Sequence, residues 1–99
     1  MSPSLSISFA DSAVNDLSEI LAYYAAEQVP HIGRRQVVGI IADIELLKDQ
    51  PDMGRRVPEF GSEKLRELIR TPFRIVYRRE KSRVRIIRVW RSERLLELP

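Results

Sequence analysis

Arg74, Arg78, Arg85, Arg91 and Arg94 recur along the final third of this 99-residue chain, with Trp90 among them. A guanidinium stays charged at physiological pH and presents a planar fork of donors, so it can hold a phosphate or a carboxylate. It is a poor proton donor, because its pKa lies above about 12. Groups able to move a proton are scarce. The only histidine, His31, follows Pro30, far in sequence from the arginines, and the tyrosines are Tyr23, Tyr24 and Tyr77. Glu59 and Glu63 are the acids that could serve as a base. These residue types favour holding an anion and leave acid–base chemistry incomplete.

Each residue also has a purely structural use, and the sequence leaves both readings open. Arg74 can pair with Glu67 across two strands. Arg55 and Arg56 can anchor to Glu59 or Glu63, and Trp90 can be a half-buried core aromatic. Tyr23 and Tyr24 suit packing between helices, and His31 suits a helix start. Gly54 is expected to supply a backbone conformation that other residues resist.

The elements that position these side chains can be read from apolar spacing. Ser4–Phe9 alternates, as a half-buried strand does. Asp11 or Ser12 is placed to cap a helix, and Val14, Leu17, Ile20, Leu21, Tyr24 and Ala25 follow at helical spacing. Pro30 and Gly33 mark a turn, and a second helix is predicted from about Ile32 to Lys48, with Val37, Ile40, Ile41, Ile44 and Leu47 as its stripe. Gln50–Ser62 breaks the pattern with two prolines and two glycines, which predicts a long loop. Three strands are predicted over Lys64–Arg70, Phe73–Arg79 and Arg83–Trp90, with hairpin-like gaps between them. Leu95, Leu96 and Leu98 form a short apolar tail. The order is β-α-α-β-β-β: an α+β fold, a single domain over residues 1–99, with a helical hairpin on one face of a mostly antiparallel sheet. Strand order stays open. The other face must then carry many of the arginines.

Composition narrows the class. Apolar residues are 43% and charged residues 31%, enough to build a core. With no cysteine and one histidine, no disulfide and no metal site is expected. No cofactor is expected either. The first residues lack a basic start and a long apolar run, so neither signal peptide nor membrane span is expected, and a cytoplasmic location is. Residues 1–52 hold three bases against eight acids, and residues 53–99 hold fourteen against six. Such asymmetry suits a polyanion or an acidic protein partner; the alternative is a solvated arginine-rich face.

The runs PDMGRRVPEFG (Pro51–Gly61), RELI (Arg66–Ile69), FRIVYR (Phe73–Arg78) and VRIIRVWRSERLL (Val84–Leu96) resemble the ParE branch of the RelE/ParE toxin superfamily. DLSEILAYYA (Asp16–Ala25) is similar to the first helix of those toxins. The likeness spans essentially the whole chain in order and spacing. It implies the toxin of a type II toxin–antitoxin pair, neutralised by a co-produced antitoxin in a hetero-oligomer. It further implies one of two activities. RelE-like members cut messenger RNA on the ribosome, and ParE-like members poison DNA gyrase without cutting RNA. In the nucleases, a middle-strand Arg and a His or Tyr near the C-terminus take part. Arg74 matches the first. Trp90-Arg91-Ser92-Glu93-Arg94 offers no match for the second, so the gyrase reading is preferred, catalytic residues are not assigned, and RNA cleavage is the alternative. A toxin-like chain that has lost activity and only binds its antitoxin is the third reading.

Target contacts are expected from Arg74, Arg78, Arg85, Trp90, Arg91 and Arg94. Antitoxin contacts are expected from Tyr23, Val29, Val37 and Val38, with Arg74 and Arg91 attracting acidic residues. No base-reading element is visible, so operator DNA is expected to be reached only through the antitoxin.

Overall fold

The computed structural model describes residues 5–92. Strand β1 (Ser6–Phe9) leads into helix α1 (Asp11–Ala26), and helix α2 (Pro30–Glu45) follows after three residues. Four more strands complete the chain's described part: β2 (Arg55–Arg56), β3 (Leu65–Arg70), β4 (Phe73–Arg79) and β5 (Arg83–Arg91). The sheet runs β1-β5-β4-β3-β2, antiparallel throughout except for the parallel pair β1–β5. Two helices on a mostly antiparallel sheet is the predicted α+β architecture. The two-residue β2 adds a strand inside the expected loop. No helix among the described residues is long and apolar enough to cross a membrane.

Local chemistry explains several boundaries. Pro30 occupies the first turn of α2, where its missing N–H costs nothing and its fixed φ suits a helix; the helix therefore starts two residues before the predicted Ile32. It ends at Glu45 and tightens into a 3-10 turn over Leu46–Lys48. Asp11 and Ser12 do not cap α1. The N-cap is Ala10, in extended conformation and without a side-chain bond. Asp11 lies in the first turn, where a negative charge suits the helix dipole. Ser12 is used elsewhere: its hydroxyl donates to the Ile87 carbonyl at 2.7 Å.

The core lies between the helices and one sheet face. Ile20, Ile40, Ile44 and Leu47 meet Phe73, Ile75, Tyr77, Val84, Ile86 and Val89, all at most 8% exposed. Each such side chain contributes about 1.5–3 kcal/mol by leaving water. In β5 the buried positions change parity, from Val84 and Ile86 to Val89. The register accounts for this: Tyr77 faces Ile86 and Val76 faces Arg88, so Ile87 is an extra residue, a β-bulge. Such a bulge bends a strand and re-aims the side chains beyond it. Arg85, before it, and Arg88 and Trp90, after it, consequently share the face away from the helices.

β1 ends opposite Ile86, and among the described residues no strand pairs with the outer edge of β5 beyond that point. Helix α1 covers it. Ser12 bonds the Ile87 carbonyl, and Asp16 accepts the Val89 N–H at 2.8 Å. Four helical residues rise about 6 Å, close to the roughly 6.8 Å that two strand residues span. One face of α1 can therefore meet two successive polar groups of a strand.

Candidate functional site

The residues that could do chemistry form three arrangements, two on the open face of the sheet and one at its edge against α1. The first surrounds Glu67 on β3, whose side chain is fully buried. Arg74 on β4 donates Nε to its Oε1 at 2.7 Å, and Arg55 on β2 donates Nε to its Oε2 at 2.7 Å. Arg74 then spends its two terminal nitrogens on Glu59, at 2.8 and 2.9 Å. Val57 packs with Leu65 and Val76 on the same face, and this brings the loop and its Glu59 over Arg74. Arg74 is thus 7% exposed and held by two carboxylates. Its pKa is raised by the hydrogen bonds to Glu59 and Glu67. The Arg74 hydrogen bond in turn holds the Glu59 carboxyl below its usual range, which makes Glu59 a weaker base.

The sign of that shift sets a pH window. A carboxyl with a depressed folded-state pKa adds stability above its unfolded value and loses it as pH falls through the folded one. Urea midpoints of the wild type should exceed those of Glu59→Gln at pH 7 and converge with them as pH drops below about 4.5. A gap that stays constant down to pH 3 would remove ionisation as its cause. The gain is modest, because the Glu59 side chain is 40% exposed and solvent screens it.

The second arrangement is the Arg78–Arg85 pair, directly opposite each other on β4 and β5. Arg78 is exposed and Arg85 half-buried. The third lies where α1 meets the end of β5, a groove of about 110 Å³ lined by Ile20, Tyr23, Phe73, Trp90 and Arg91 with Asp16 and Glu19. Arg88 forks onto Asp16 at 2.8 and 2.9 Å and lies 4.2 Å over the Trp90 ring. The Arg91 guanidinium sits 5.5 Å from the Tyr23 ring and 5.8 Å from Phe73. Tyr23 stands edge-on to Tyr24 and remains half exposed.

The expected target-contact residues therefore do not form one constellation. Arg74 is sealed in the Glu67 cluster, Arg78 and Arg85 form a corner, Trp90 and Arg91 border the groove, and Arg94 lies outside the described residues, as does the apolar tail. Of the expected antitoxin contacts, Tyr23 borders the groove and Val38 is 68% exposed, whereas Val37 packs against the core and Val29 is half-buried between the helices. His31 is exposed in the first turn of α2, and burial raises the Tyr77 pKa while its hydroxyl donates to the Pro51 carbonyl. The predicted Arg74–Glu67 pairing is present. Arg56 meets Glu63 as anticipated, but Arg55 takes Glu67 in place of Glu59 or Glu63. Gly54 answers a need for space: a Cβ there would lie 2.6 Å from the Tyr77 hydroxyl and 2.8 Å from the Glu67 carbonyl. Its φ is not left-handed; only Gly61 among the described glycines has that conformation.

Sequence reasoning missed Asp16 and Arg88. Helical spacing offered one signal, since Asp16 falls beside Leu17 and Ile20 on a face that must meet the sheet.

The model of a family described as the ParE toxin of the type II toxin–antitoxin system parDE matches residues 7–96. This chain belongs to the ParE toxin family. A solved structure described as a chromosomal ParDE toxin–antitoxin system from P. aeruginosa is similar in fold. It has a TM-score of 0.76 and 24% sequence identity, and covers 93% of this chain and 100% of its own. Among curated protein sequences none matches. For a ParE-family chain the site is thus a sheet face with one sealed arginine and one open pair, beside an aromatic groove.

Proposed function

We propose that this ParE-family chain acts in the cytoplasm as a non-enzymatic inhibitor of DNA gyrase and is neutralised by a co-produced antitoxin. One observation carries the choice against RNA cleavage: Arg74, the arginine a nuclease would turn toward phosphate, is bound by both Glu67 and Glu59. The sequence adds that the last strand ends without a His or Tyr, so no side chain there readily protonates a leaving oxygen. Binding needs neither. The groove between Tyr23, Phe73 and Trp90 offers an apolar floor with Glu19 and Arg91 at its rim, suited to a short amphipathic segment of the antitoxin.

Purified protein in a gyrase supercoiling assay, paired with primer extension on mRNA from expressing cells, tests the target. Loss of supercoiling with intact transcripts is the expected result. Codon-linked cuts with unaffected gyrase would move the chain to the nuclease reading, and silence in both would leave a binding-only protein. Thermal melts test the antitoxin: at about 100 times its dissociation constant it should add about 2.7 kcal/mol, and an unchanged midpoint would exclude the pairing.

A further inference from the structure

Cross-strand neighbours on one face of an antiparallel pair stand about 5 Å apart at Cβ, and like charges placed so oppose folding. Arg78 and Arg85 are such neighbours. Among the described residues no carboxylate forms an ion pair with either, and the hydrogen bond found for the two is from Arg85 to the Ser8 hydroxyl, at 3.4 Å. Lys64 and Lys81 line a shallow hollow with Arg78 at the same corner of the sheet. The acid nearby, Glu80, is already held by Arg83 at 2.7 Å. That bond lowers the Glu80 pKa, with Arg78 and Arg85 adding to the effect. Lys64, Arg78, Lys81 and Arg85 thus gather here, while the nearby carboxylates are taken by other arginines, Glu80 by Arg83 and Asp52 by Arg79 and Arg66.

Among the described residues the corner offers no exposed apolar or aromatic anchor. Leu65 and Val76, the apolar residues beside Arg78 on this face, are buried with Val57. Trp90 lies toward the opposite end of β5, under Arg88. A protein partner needs a desolvated apolar or aromatic anchor. A single nucleic-acid strand needs aromatic rings on which its bases stack. A duplex backbone needs neither; spaced cations that displace its counterions suffice.

We propose that the Arg78–Arg85 corner, with Lys64 and Lys81, binds the phosphodiester backbone of duplex DNA without regard to base sequence. The contact goes beyond inhibition of gyrase and neutralisation by an antitoxin, and it stands whether or not gyrase is the target. It is also distinct from operator recognition, since a flat sheet corner inserts nothing into a groove.

Fluorescence anisotropy with a labelled, mixed-sequence duplex of about 20 base pairs tests this on the purified full chain. With three or four phosphates neutralised, the binding constant should fall roughly 40- to 150-fold between 50 and 200 mM salt. The Arg78→Gln/Arg85→Gln variant should bind at least about tenfold more weakly at 50 mM and flatten the salt slope by about two. Arg85→Glu separates binding from folding: it places opposite charges across the strands, so its melting midpoint should equal or exceed the wild type's while duplex binding drops. No duplex binding at 50 mM, or binding that the double variant retains, would overturn the assignment. So would tighter binding of a single-stranded oligonucleotide, or a double variant whose loss is confined to a labelled acidic peptide.

Discussion

Replacing Arg74 with methionine is expected to lower the thermal midpoint by about 12–24 °C. Removing one partner of a buried ion pair costs about 3–5 kcal/mol, because the other charge stays buried. In a domain of this size each kcal/mol moves the midpoint by roughly 4–8 °C, and the range quoted takes the lower cost. Glu67 is the stranded group. Its side chain is fully buried, and after the substitution it would keep only Arg55, which is 60% exposed. Glu59 would lose its partner as well. The double variant Glu67→Leu/Arg74→Met should recover much of the loss, since well-packed apolar residues often replace such pairs at little cost. Calorimetric or circular-dichroism melts of the two variants check both statements. An Arg74→Met midpoint within about 3 °C of the wild type would mean that Arg74 is held for its contacts outside the fold.

Asp16→Ala should cost about 3 kcal/mol, a large effect for one helical acid. The carboxylate does two things at once. It takes the Arg88 fork and it accepts the Val89 N–H. Alanine leaves that N–H at a strand edge covered by α1, and a buried orphan donor costs about 1–3 kcal/mol; the unpaired Arg88 adds to it. Asp16→Asn keeps an acceptor but no charge and should fall between. Urea midpoints give the ranking. Trp90 is the only tryptophan and is stacked on Arg88, so the native emission of Asp16→Ala should shift to the red as that cover loosens. Equal midpoints for the Asn and Ala variants would assign the whole effect to the charge.

The elements that repeated a period over several turns or pleats were legible in the sequence. Ile40, Ile44 and Leu47 are buried as their helical spacing required, and Phe73, Ile75 and Tyr77 face the core as their alternation required. What escaped was set by partners distant in the chain. The parallel seat of β1 beside β5 is invisible to local pattern, because alternation reports a face and not a neighbour. The bulge at Ile87 hid in an apolar pair, Ile86-Ile87, that reads equally well on either face. Two residues of β2 are too few to show any period. At the candidate site, Arg74–Glu67 was legible because the two fall on adjacent strands of a hairpin, whereas Asp16–Arg88 joins residues 72 apart. Ser12 shows the same limit: next to a helix start it looks like a cap, and only the strand edge opposite explains its hydroxyl.

The seating of β1 also governs when this molecule can exist. Ser8 meets Arg85 across 77 residues of chain, so the sheet closes through its most distant pair. Contacts of such long sequence separation slow folding, because the chain must give up the freedom of the whole intervening loop before they form. Synthesis proceeds from the N-terminus, and β1 waits without a partner until β5 has been made. Both borders of the aromatic groove, α1 and the end of β5, lie on either side of that same long separation. Until β5 has been made, then, the polypeptide has neither a finished sheet nor a finished groove.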